Sequence, residues 1–172
     1  AYNETCAAIS MVYLFERMFL LHGESKYIDC LERTLYNGVI SGMSMDGGRF
    51  FYPNPLSSDG KYKFNSDGNT TRQPWFGCAC CPSNLCRFIP SVPGYLFGVK
   101  DNNIYVNLFA GNTSTIKVGG KNVVLEETTE YPWDGDIKIT VKKSAAKNAN
   151  LLVRIPGWVR NQVVPSDLYV YR

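Results

Sequence analysis

Apolar residues recur at helical spacing near the start of the chain and predict a helix over residues 5–22. One face carries Met11, Leu14, Phe15, Met18 and Leu21, and the other carries Ile9, Val12 and Phe19. Because such a helix is apolar on nearly all sides, we expect it to be buried. Gly23 is placed to end it. Residues 25–41 carry a second apolar stripe and predict a helix that ends at Gly42 and pairs antiparallel with the first.

The pattern changes after Gly42. The segment "MDGGRFFYPNP" predicts an Asp-Gly-Gly turn followed by an aromatic strand, and the polar residues 56–74 predict a long surface loop. A short helix is expected after "CCPSN", with Ser83 as its cap. From Gly94 onward, six segments with β-strand composition are separated by turn residues, which predicts an antiparallel β-sandwich.

These elements predict an α+β protein in two parts. Residues 1–93 form the helical part and residues 94–172 form the β part. The β part is expected to pack on the helical hairpin, and alternation in "DIKITVKK" places Ile137, Ile139 and Val141 on one face of a strand.

Composition and charge narrow the functional classes. The chain has 172 residues, of which 45% are hydrophobic, and a formal net charge of +3. It has no run of like charges, which argues against nucleic acid as a partner. Its longest apolar stretch is interrupted by Glu16 and Arg17 and is expected to be neither a membrane span nor a signal peptide. The start at Ala1, directly before a helical pattern, is typical of a piece of a longer protein.

Cysteine provides the strongest chemical signal. Three of the six cysteines, Cys78, Cys80 and Cys81, lie within "FGCACCPSN". That crowding is compatible with disulfides, a metal site, a reactive thiolate or small buried side chains. In a chain of this length and apolar content, clustered thiols favour a metal or catalytic site and a reducing compartment over a disulfide framework.

A second group of candidate ligands lies in "NETCAA". Glu4 and Cys6 would point about 200° apart on a continuous helix, so they converge only in an extended segment or at a helix start. Cys80 and Cys81 can face one ion only in an irregular turn, which the following Pro82 favours. Thiolate and carboxylate are both zinc ligands, so these four residues predict a tetrahedral site. The alternative is that Cys6 is a core residue and Glu4 a charge at a helix N-terminus.

The remaining candidates have structural alternatives. We interpret Cys78 as a structural thiol rather than a further metal ligand, and Cys30 and Cys86 as core residues. His22, the single histidine, is expected at a helix C-terminus rather than in a catalytic triad. Glu32 and Tyr52 are each compatible with an ordinary structural role or with a sugar-binding pocket.

Taken together, "AYNETCAA", "ERTLYNGVISGMSMDGGRFFYPNPL", "FGCACCPSNLCRFI", "YVNLF" and "RIPGW" resemble the β-L-arabinofuranosidase family of glycoside hydrolases. The resemblance extends from Ala1 to about Trp158. It implies the last part of an (α/α)6 toroid followed by a β-sandwich. It also implies a retaining hydrolase of terminal β-L-arabinofuranosides or related sugars, with a zinc-bound cysteine as its nucleophile.

In the terms of that family, Glu4, Cys6, Cys80 and Cys81 are the zinc ligands and Cys80 is also the nucleophile. Glu32 and Tyr52 match positions that contact the sugar. The family's acid/base glutamate lies upstream of the "ETC" motif, so the chain alone is expected to be inactive. Its expected partners are a carbohydrate substrate and the rest of its own parent chain or a homodimer partner.

Two further hypotheses stay open at this stage. One is a non-catalytic carbohydrate-binding or structural β-sandwich module with a closed zinc–cysteine site. The other is a secreted domain held by disulfides, which predicts that no thiol is free. The expected location is the cytoplasm, or the periplasm if a signal peptide precedes the chain.

Overall fold

The computed structural model describes residues 3–55, 57–65 and 68–160. These residues form two compact units. The first runs up to Val92 and includes Gly157–Arg160, and the second is Pro93–Pro156. The combination of helices with mostly antiparallel sheets makes the protein α+β, as expected from the sequence.

The helical hairpin is confirmed. Helix α1 spans Thr5–His22, and Gly23 ends it in the left-handed conformation (φ 71°) by donating its N–H to the carbonyl of Phe19 at 2.7 Å. Helix α2 spans Ser25–Thr34. It widens into a π-helical turn at Leu35–Val39 and ends in a 3-10 turn at Ile40–Gly42.

The expected burial of α1 on all sides is wrong. Its buried face consists of Thr5, Ala8, Ile9, Val12 and Phe19. The other stripe is not enclosed: Phe15 and Met18 are half-buried, and Leu14 and Leu21 are 49% and 73% exposed. By length and composition alone α1 could cross a membrane. Its buried face nevertheless packs as a core helix does, because Ile9 and Val12 are fully enclosed.

Glycine allows the elements of this unit to approach closely. A Cβ on Gly38 would lie 2.9 Å from the Cβ of Ala8, and one on Gly42 would lie 2.8 Å from Oγ1 of Thr5. Both distances are shorter than normal packing permits. The end of the α2 segment therefore lies directly against the first two turns of α1.

Helix α3 spans Cys80–Phe88 and continues as a 3-10 helix over Ile89–Tyr95. It begins earlier than expected, because Pro82 fits the first turn, where a missing N–H costs no hydrogen bond. Ser83 does not cap it. The Ser83 hydroxyl donates instead to the carbonyl of Ala79 at 2.8 Å, inside the first turn.

Between α2 and α3, the expected aromatic strand is reduced to isolated bridges. Phe50 bridges to Met43 and to Gln73, and Pro53 bridges to Glu4. The described residues between 57 and 72 contain no helix or strand, in agreement with the expected loop.

The second unit contains six strands, as expected. They are β1 (Phe97–Lys100), β2 (Asn103–Val106), β3 (Asn112–Val118), β4 (Lys121–Thr129), β5 (Ile137–Ser144) and β6 (Asn150–Val153). One sheet has the order β1-β2-β6 and the other β3-β4-β5. All pairs are antiparallel except β2 with β6, which is parallel and departs from the expectation.

Both sheets contribute to one hydrophobic core in this unit. Ile104 from β2 meets Ile116 and Val118 from β3 and Val123 and Leu125 from β4. Strands β5 and β6 contribute less than their sequences suggest. Val141 is 55% exposed, and Leu151, Leu152 and Val153 are all exposed.

One carboxyl group is buried in this unit. Glu127 on β4 is 3% exposed, and its Oε2 accepts a hydrogen bond from Nδ2 of Asn112 at 3.1 Å. Burial raises the pKa of Glu127 to about 7, against the opposing effect of the hydrogen bonds from Asn112 and the Ala110 backbone. A glutamate that is charged in the unfolded chain is therefore largely protonated in the folded protein at mildly acidic pH.

We expect Glu127 to make the folded state less stable as pH rises from 4.5 to about 7. In that range the unfolded chain has released the proton while the folded protein retains it, so each rise in pH favours unfolding. The free energy of unfolding should fall by about 3 kcal/mol across this pH range. Glu127→Gln, which is neutral at every pH, should remove this contribution in urea unfolding measured across the same range.

Glu126→Gln is the matched control. Glu126 is the adjacent residue on β4 and forms an exposed ion pair with Nζ of Lys142 at 3.2 Å. In the Glu126→Gln variant, the free energy of unfolding should depend on pH as in the wild type. A Glu127→Gln variant whose unfolding free energy changes with pH as steeply as wild type would contradict the assignment.

Candidate metal centre

The structure brings together the four residues predicted as metal ligands. One ligand atom each from Glu4, Cys6, Cys80 and Cys81 lies within 4.8 Å of the other three. Two come from the start of α1 and two from the start of α3. About 75 residues separate the two pairs in sequence, so the fold creates the cluster.

The start of α1 is arranged as the sequence indicated. Glu4 precedes the helix in extended conformation (φ −118°, ψ 136°), and Cys6 lies in the first turn. The change from extended to helical backbone at Thr5 lets both side chains reach one point. Two hydrogen bonds fix Thr5. Its N–H donates to the carbonyl of Tyr52 at 3.1 Å, and its hydroxyl donates to the carbonyl of Phe51 at 2.9 Å.

Asn54 fixes the neighbouring segment. It is 2% exposed, and its backbone N–H donates to the carbonyl of Asn3 at 2.8 Å. Its Nδ2 donates to the carbonyl of Gly38 at 3.0 Å and to the hydroxyl of Ser41 at 2.9 Å. One buried amide thus joins the end of the α2 segment to the strand-like residues that flank Glu4.

The start of α3 supplies the two adjacent thiols. They lie in the first turn of the helix rather than in an irregular turn before it, and Pro82 is the third helical residue. The Sγ atoms of Cys80 and Cys81 are 3.8 Å apart. Two sulfurs on one tetrahedral zinc are separated by roughly the same distance, given Zn–S of about 2.3 Å. The Sγ of Cys81 lies 3.9 Å from Oε1 of Glu4.

The three thiols differ in acidity. Burial raises the pKa of Cys6 and, more strongly, that of Cys81. Burial opposes ionisation of Cys80 as well, but hydrogen bonds from Tyr52, Cys6, Cys81 and Cys78 outweigh it and lower the pKa of Cys80. Cys80 is therefore the thiol of this cluster that is most readily converted to the nucleophilic thiolate.

Tyr52 contacts the proposed nucleophile directly. Its hydroxyl donates a hydrogen bond to the sulfur of Cys80, which, together with the charge of Glu4, raises the pKa of Tyr52. The ring of Phe76 packs edge-on against the Tyr52 ring with centroids 5.9 Å apart. The sequence suggested a sugar contact for Tyr52, and its contact with sulfur was not expected.

Two further contacts were also missed. The side chain of Asn84 hydrogen-bonds the sulfur of Cys6, which opposes the rise in the pKa of Cys6. Asn84 lies four residues after Cys80 on α3, so helical spacing could have placed it on the face of the cluster. Cys78 is exposed, lies outside the group of four ligands and hydrogen-bonds Cys80.

The other sequence candidates lie elsewhere. Glu32 is 5% exposed on α2, so it is not a solvated charge, and it is not one of the converging ligand residues. Cys30 is partly buried, but Cys86 is exposed, so its assignment to the core is wrong. His22 is the last residue of α1, as expected. All six cysteines are free, which contradicts the hypothesis of a disulfide-stabilised domain.

The chemistry of the four ligands fits a metal ion. Three sulfurs and one carboxylate oxygen form a four-coordinate set, and sulfur ligands favour zinc among the common divalent metals. The set also lies beside hydrogen-bond donors from Tyr52 and Asn84, which can orient the sulfurs. The cluster could therefore hold a metal without any change in the fold.

Family comparisons assign this combination of helical unit, thiol cluster and β unit to the glycoside hydrolases. Residues 1–94 match the model of the β-L-arabinofuranosidase GH127 catalytic domain, and residues 103–167 match that of the GH127 middle domain. The first match covers more than half of the chain. The chain belongs to the GH127 β-L-arabinofuranosidase family.

Individual relatives agree with this assignment. A non-reducing end β-L-arabinofuranosidase of Bifidobacterium longum is 35% identical over 167 residues, covering 92% of this chain and 25% of the relative. A solved GH127 β-arabinofuranosidase is 57% identical with a TM-score of 0.88, covering 100% of this chain and 26% of that one. A GH127 β-L-arabinofuranosidase from Geobacillus stearothermophilus T6 is 42% identical with a TM-score of 0.81. That match covers 92% of this chain and 25% of the relative. The chain thus spans about a quarter of the length of these relatives.

Proposed function

We propose that the full-length protein is a retaining glycoside hydrolase that removes β-L-arabinofuranose from the non-reducing end of a glycan. The observation that carries the proposal is the convergence of Glu4, Cys6, Cys80 and Cys81 in a member of a glycosidase family. The identity of the sugar is taken from the names of the relatives, which are β-L-arabinofuranosidases.

We assign residues 1–93 to the end of an (α/α)6 toroid and residues 94–172 to a β-sandwich. The antiparallel hairpin of α1 and α2 is the repeating unit from which such a toroid is built. The shared core of the two sheets supports the sandwich. Because the thiols are free, we place the protein in a reducing compartment such as the cytoplasm.

We propose zinc as the metal, with Glu4, Cys6, Cys80 and Cys81 as its ligands. When bound, zinc would keep the thiols deprotonated near neutral pH and fix their positions. The protein supplies the rest of the arrangement. Tyr52 and Asn84 hold two of the sulfurs by hydrogen bonds, and the helix starts of α1 and α3 set the spacing.

In the reaction, the sulfur of Cys80 attacks the anomeric carbon of the sugar. The bond from that carbon to the leaving oxygen breaks, and a carboxylic acid of the full-length protein gives its proton to that oxygen. Water then gives a proton to that carboxylate and attacks the same carbon, the carbon–sulfur bond breaks, and the sugar is released with its original configuration. Glu32 and Tyr52 are proposed to contact the sugar hydroxyls, and Tyr52 also to orient the Cys80 sulfur.

The test is an assay of the full-length protein with chromogenic β-L-arabinofuranoside, with the α-anomer as the control. We expect release of the chromophore from the β-anomer, and NMR of the first product should show the β configuration. Product of inverted configuration would contradict the cysteine nucleophile. Hydrolysis of the α-anomer alone would contradict the assigned substrate.

A second function is favoured by one observation. The cluster offers four protein ligands, and a closed set of four is typical of structural zinc sites. A binding module with such a site would retain carbohydrate affinity and show no turnover. Metal-containing full-length protein that binds arabinofuranosides and hydrolyses none of them would support this alternative.

A further inference from the structure

The "CAC" segment places an exposed thiol beside the half-buried sulfur of Cys80. Cys78 is exposed and lies outside the four-ligand group, yet its thiol hydrogen-bonds Cys80. Only Ala79 separates the two cysteines in sequence, so the contact places two thiols side by side at the start of α3. Neither the metal centre nor the hydrolysis described above gives Cys78 a role.

We propose that Cys78 and Cys80 form a reversible disulfide when the protein meets a hydroperoxide, and that this modification switches the site off and protects Cys80. Cys78 acts as the resolving thiol. Formation of the disulfide requires these two sulfurs and the hydroperoxide, and it does not depend on the proposed glycosidase activity. Only the expected loss of turnover rests on the proposed function.

The reaction has two balanced steps. The Cys80 thiolate attacks one peroxide oxygen, the O–O bond breaks, hydroxide leaves, and Cys80 becomes a sulfenic acid. The sulfur of Cys78 then attacks the Cys80 sulfur, the S–O bond breaks, and the departing hydroxide takes the Cys78 thiol proton to form water. The two sulfurs are oxidised, the peroxide is reduced, and a later thiol reductant reverses the bond.

Geometry favours Cys78 over the other neighbours of Cys80. Cys81 is adjacent in sequence, so the two Cα atoms are about 3.8 Å apart, below the usual disulfide range of roughly 4.4–6.8 Å. Residues separated by one position span at most about 7 Å, which includes that range. Cys6 is partly buried and is tied to α1, whereas Cys78 precedes α3 and is exposed.

The exposure of Cys78 also makes the switch accessible. Peroxide and reductants can reach an exposed thiol, whereas Cys81 is buried. Since Cys80 would be a metal ligand, formation of the disulfide removes one of four ligands. We expect oxidation to release the metal, and bound metal to slow the oxidation.

The test uses the full-length protein treated with a chelator, then with hydrogen peroxide, then digested with trypsin without reduction. Residues 73–87, between Arg72 and Arg87, form one tryptic peptide that contains Cys78, Cys80, Cys81 and Cys86. We expect this peptide to lose the mass of two hydrogen atoms, and fragmentation to place the link between Cys78 and Cys80. A link from Cys80 to Cys6 or Cys81 would overturn the proposal.

A pair of variants makes the test independent of turnover. Cys78→Ser should lack the link, and its Cys80 should proceed to sulfinic acid, which dithiothreitol does not reverse. Metal rebinding after dithiothreitol should therefore recover in wild type and be lost in Cys78→Ser. Cys86→Ser, which removes an exposed thiol further along α3, should behave as wild type. Full recovery of metal binding by oxidised Cys78→Ser would also overturn the proposal.

Discussion

Cys80→Ala in the full-length protein should lower kcat for a β-L-arabinofuranoside by on the order of 10⁴–10⁶-fold, the loss seen when a catalytic nucleophile is removed. The alanine cannot form a bond to the anomeric carbon, and no other cluster thiol has a lowered pKa. Cys6 and Cys81 both have raised pKa values, so neither replaces Cys80 readily. The measurement is kcat under saturating chromogenic substrate.

Cys80 is also a candidate ligand, so lost turnover alone does not separate the two roles. A substrate with a good leaving group but slow hydrolysis of the intermediate should leave one sugar residue on the protein. Mass spectrometry of the peptide of residues 73–87 should find that sugar on Cys80 in wild type and no adduct in the variant. A wild-type adduct on a carboxylate would contradict the thiol mechanism.

Cys30→Ala is the matched control for this experiment. Cys30 is a partly buried cysteine on α2 outside the ligand cluster, and burial raises the pKa of its thiol. Removing its sulfur should cost only packing stability, while kcat remains at the wild-type value. A loss of turnover as large as that of Cys80→Ala would show that the assay reports unfolding.

The local apolar pattern was sufficient to predict the helices and strands, but not which of their faces are buried or how the strands pair. The bounds of α1 follow from apolar spacing and from Gly23, both local signals. The expected burial of α1 on nearly all sides was wrong because α1 carries two apolar stripes, and which of them is enclosed depends on the elements that pack against it. The parallel pairing of β2 with β6 was missed for a similar reason, since Asn103 and Asn150 are 47 residues apart.

The cluster could be anticipated because metal ligands have a restricted chemistry. Few residue types bind zinc, so "ETC" and "CACC" identified candidates even though 77 residues separate Glu4 from Cys81. Tyr52 and Asn84 carry side chains with many ordinary roles, and their contacts with sulfur are set by the bridge at Pro53 and the first turns of α3. The contact of Tyr52 follows from the packed structure and leaves no distinctive sequence pattern, whereas the helical spacing of Asn84 from Cys80 was the one available signal.

Cys81→Ser should weaken zinc binding by more than about 100-fold, because even residues that only support a ligand typically contribute 10–100-fold in affinity. Cys81 is fully buried and its sulfur lies 3.8 Å from Cys80 and 3.9 Å from Glu4. A hydroxyl is a poorer zinc ligand than a thiolate, and the buried position of Cys81 gives water little room to replace its sulfur. Titration of the full-length protein against a chelator of known affinity gives the dissociation constant.

The pH dependence of the same titration tests whether thiols are the ligands. Burial raises the pKa of both Cys6 and Cys81, so their protons must be displaced when the metal binds. Zinc affinity in wild type should therefore rise steeply as pH increases, and the rise should be shallower in Cys81→Ser, which has one proton fewer to release. Cys86→Ser, on the same helix but exposed, should match wild type in both affinity and pH dependence. Equal zinc affinity in Cys81→Ser and Cys86→Ser would exclude Cys81 as a ligand.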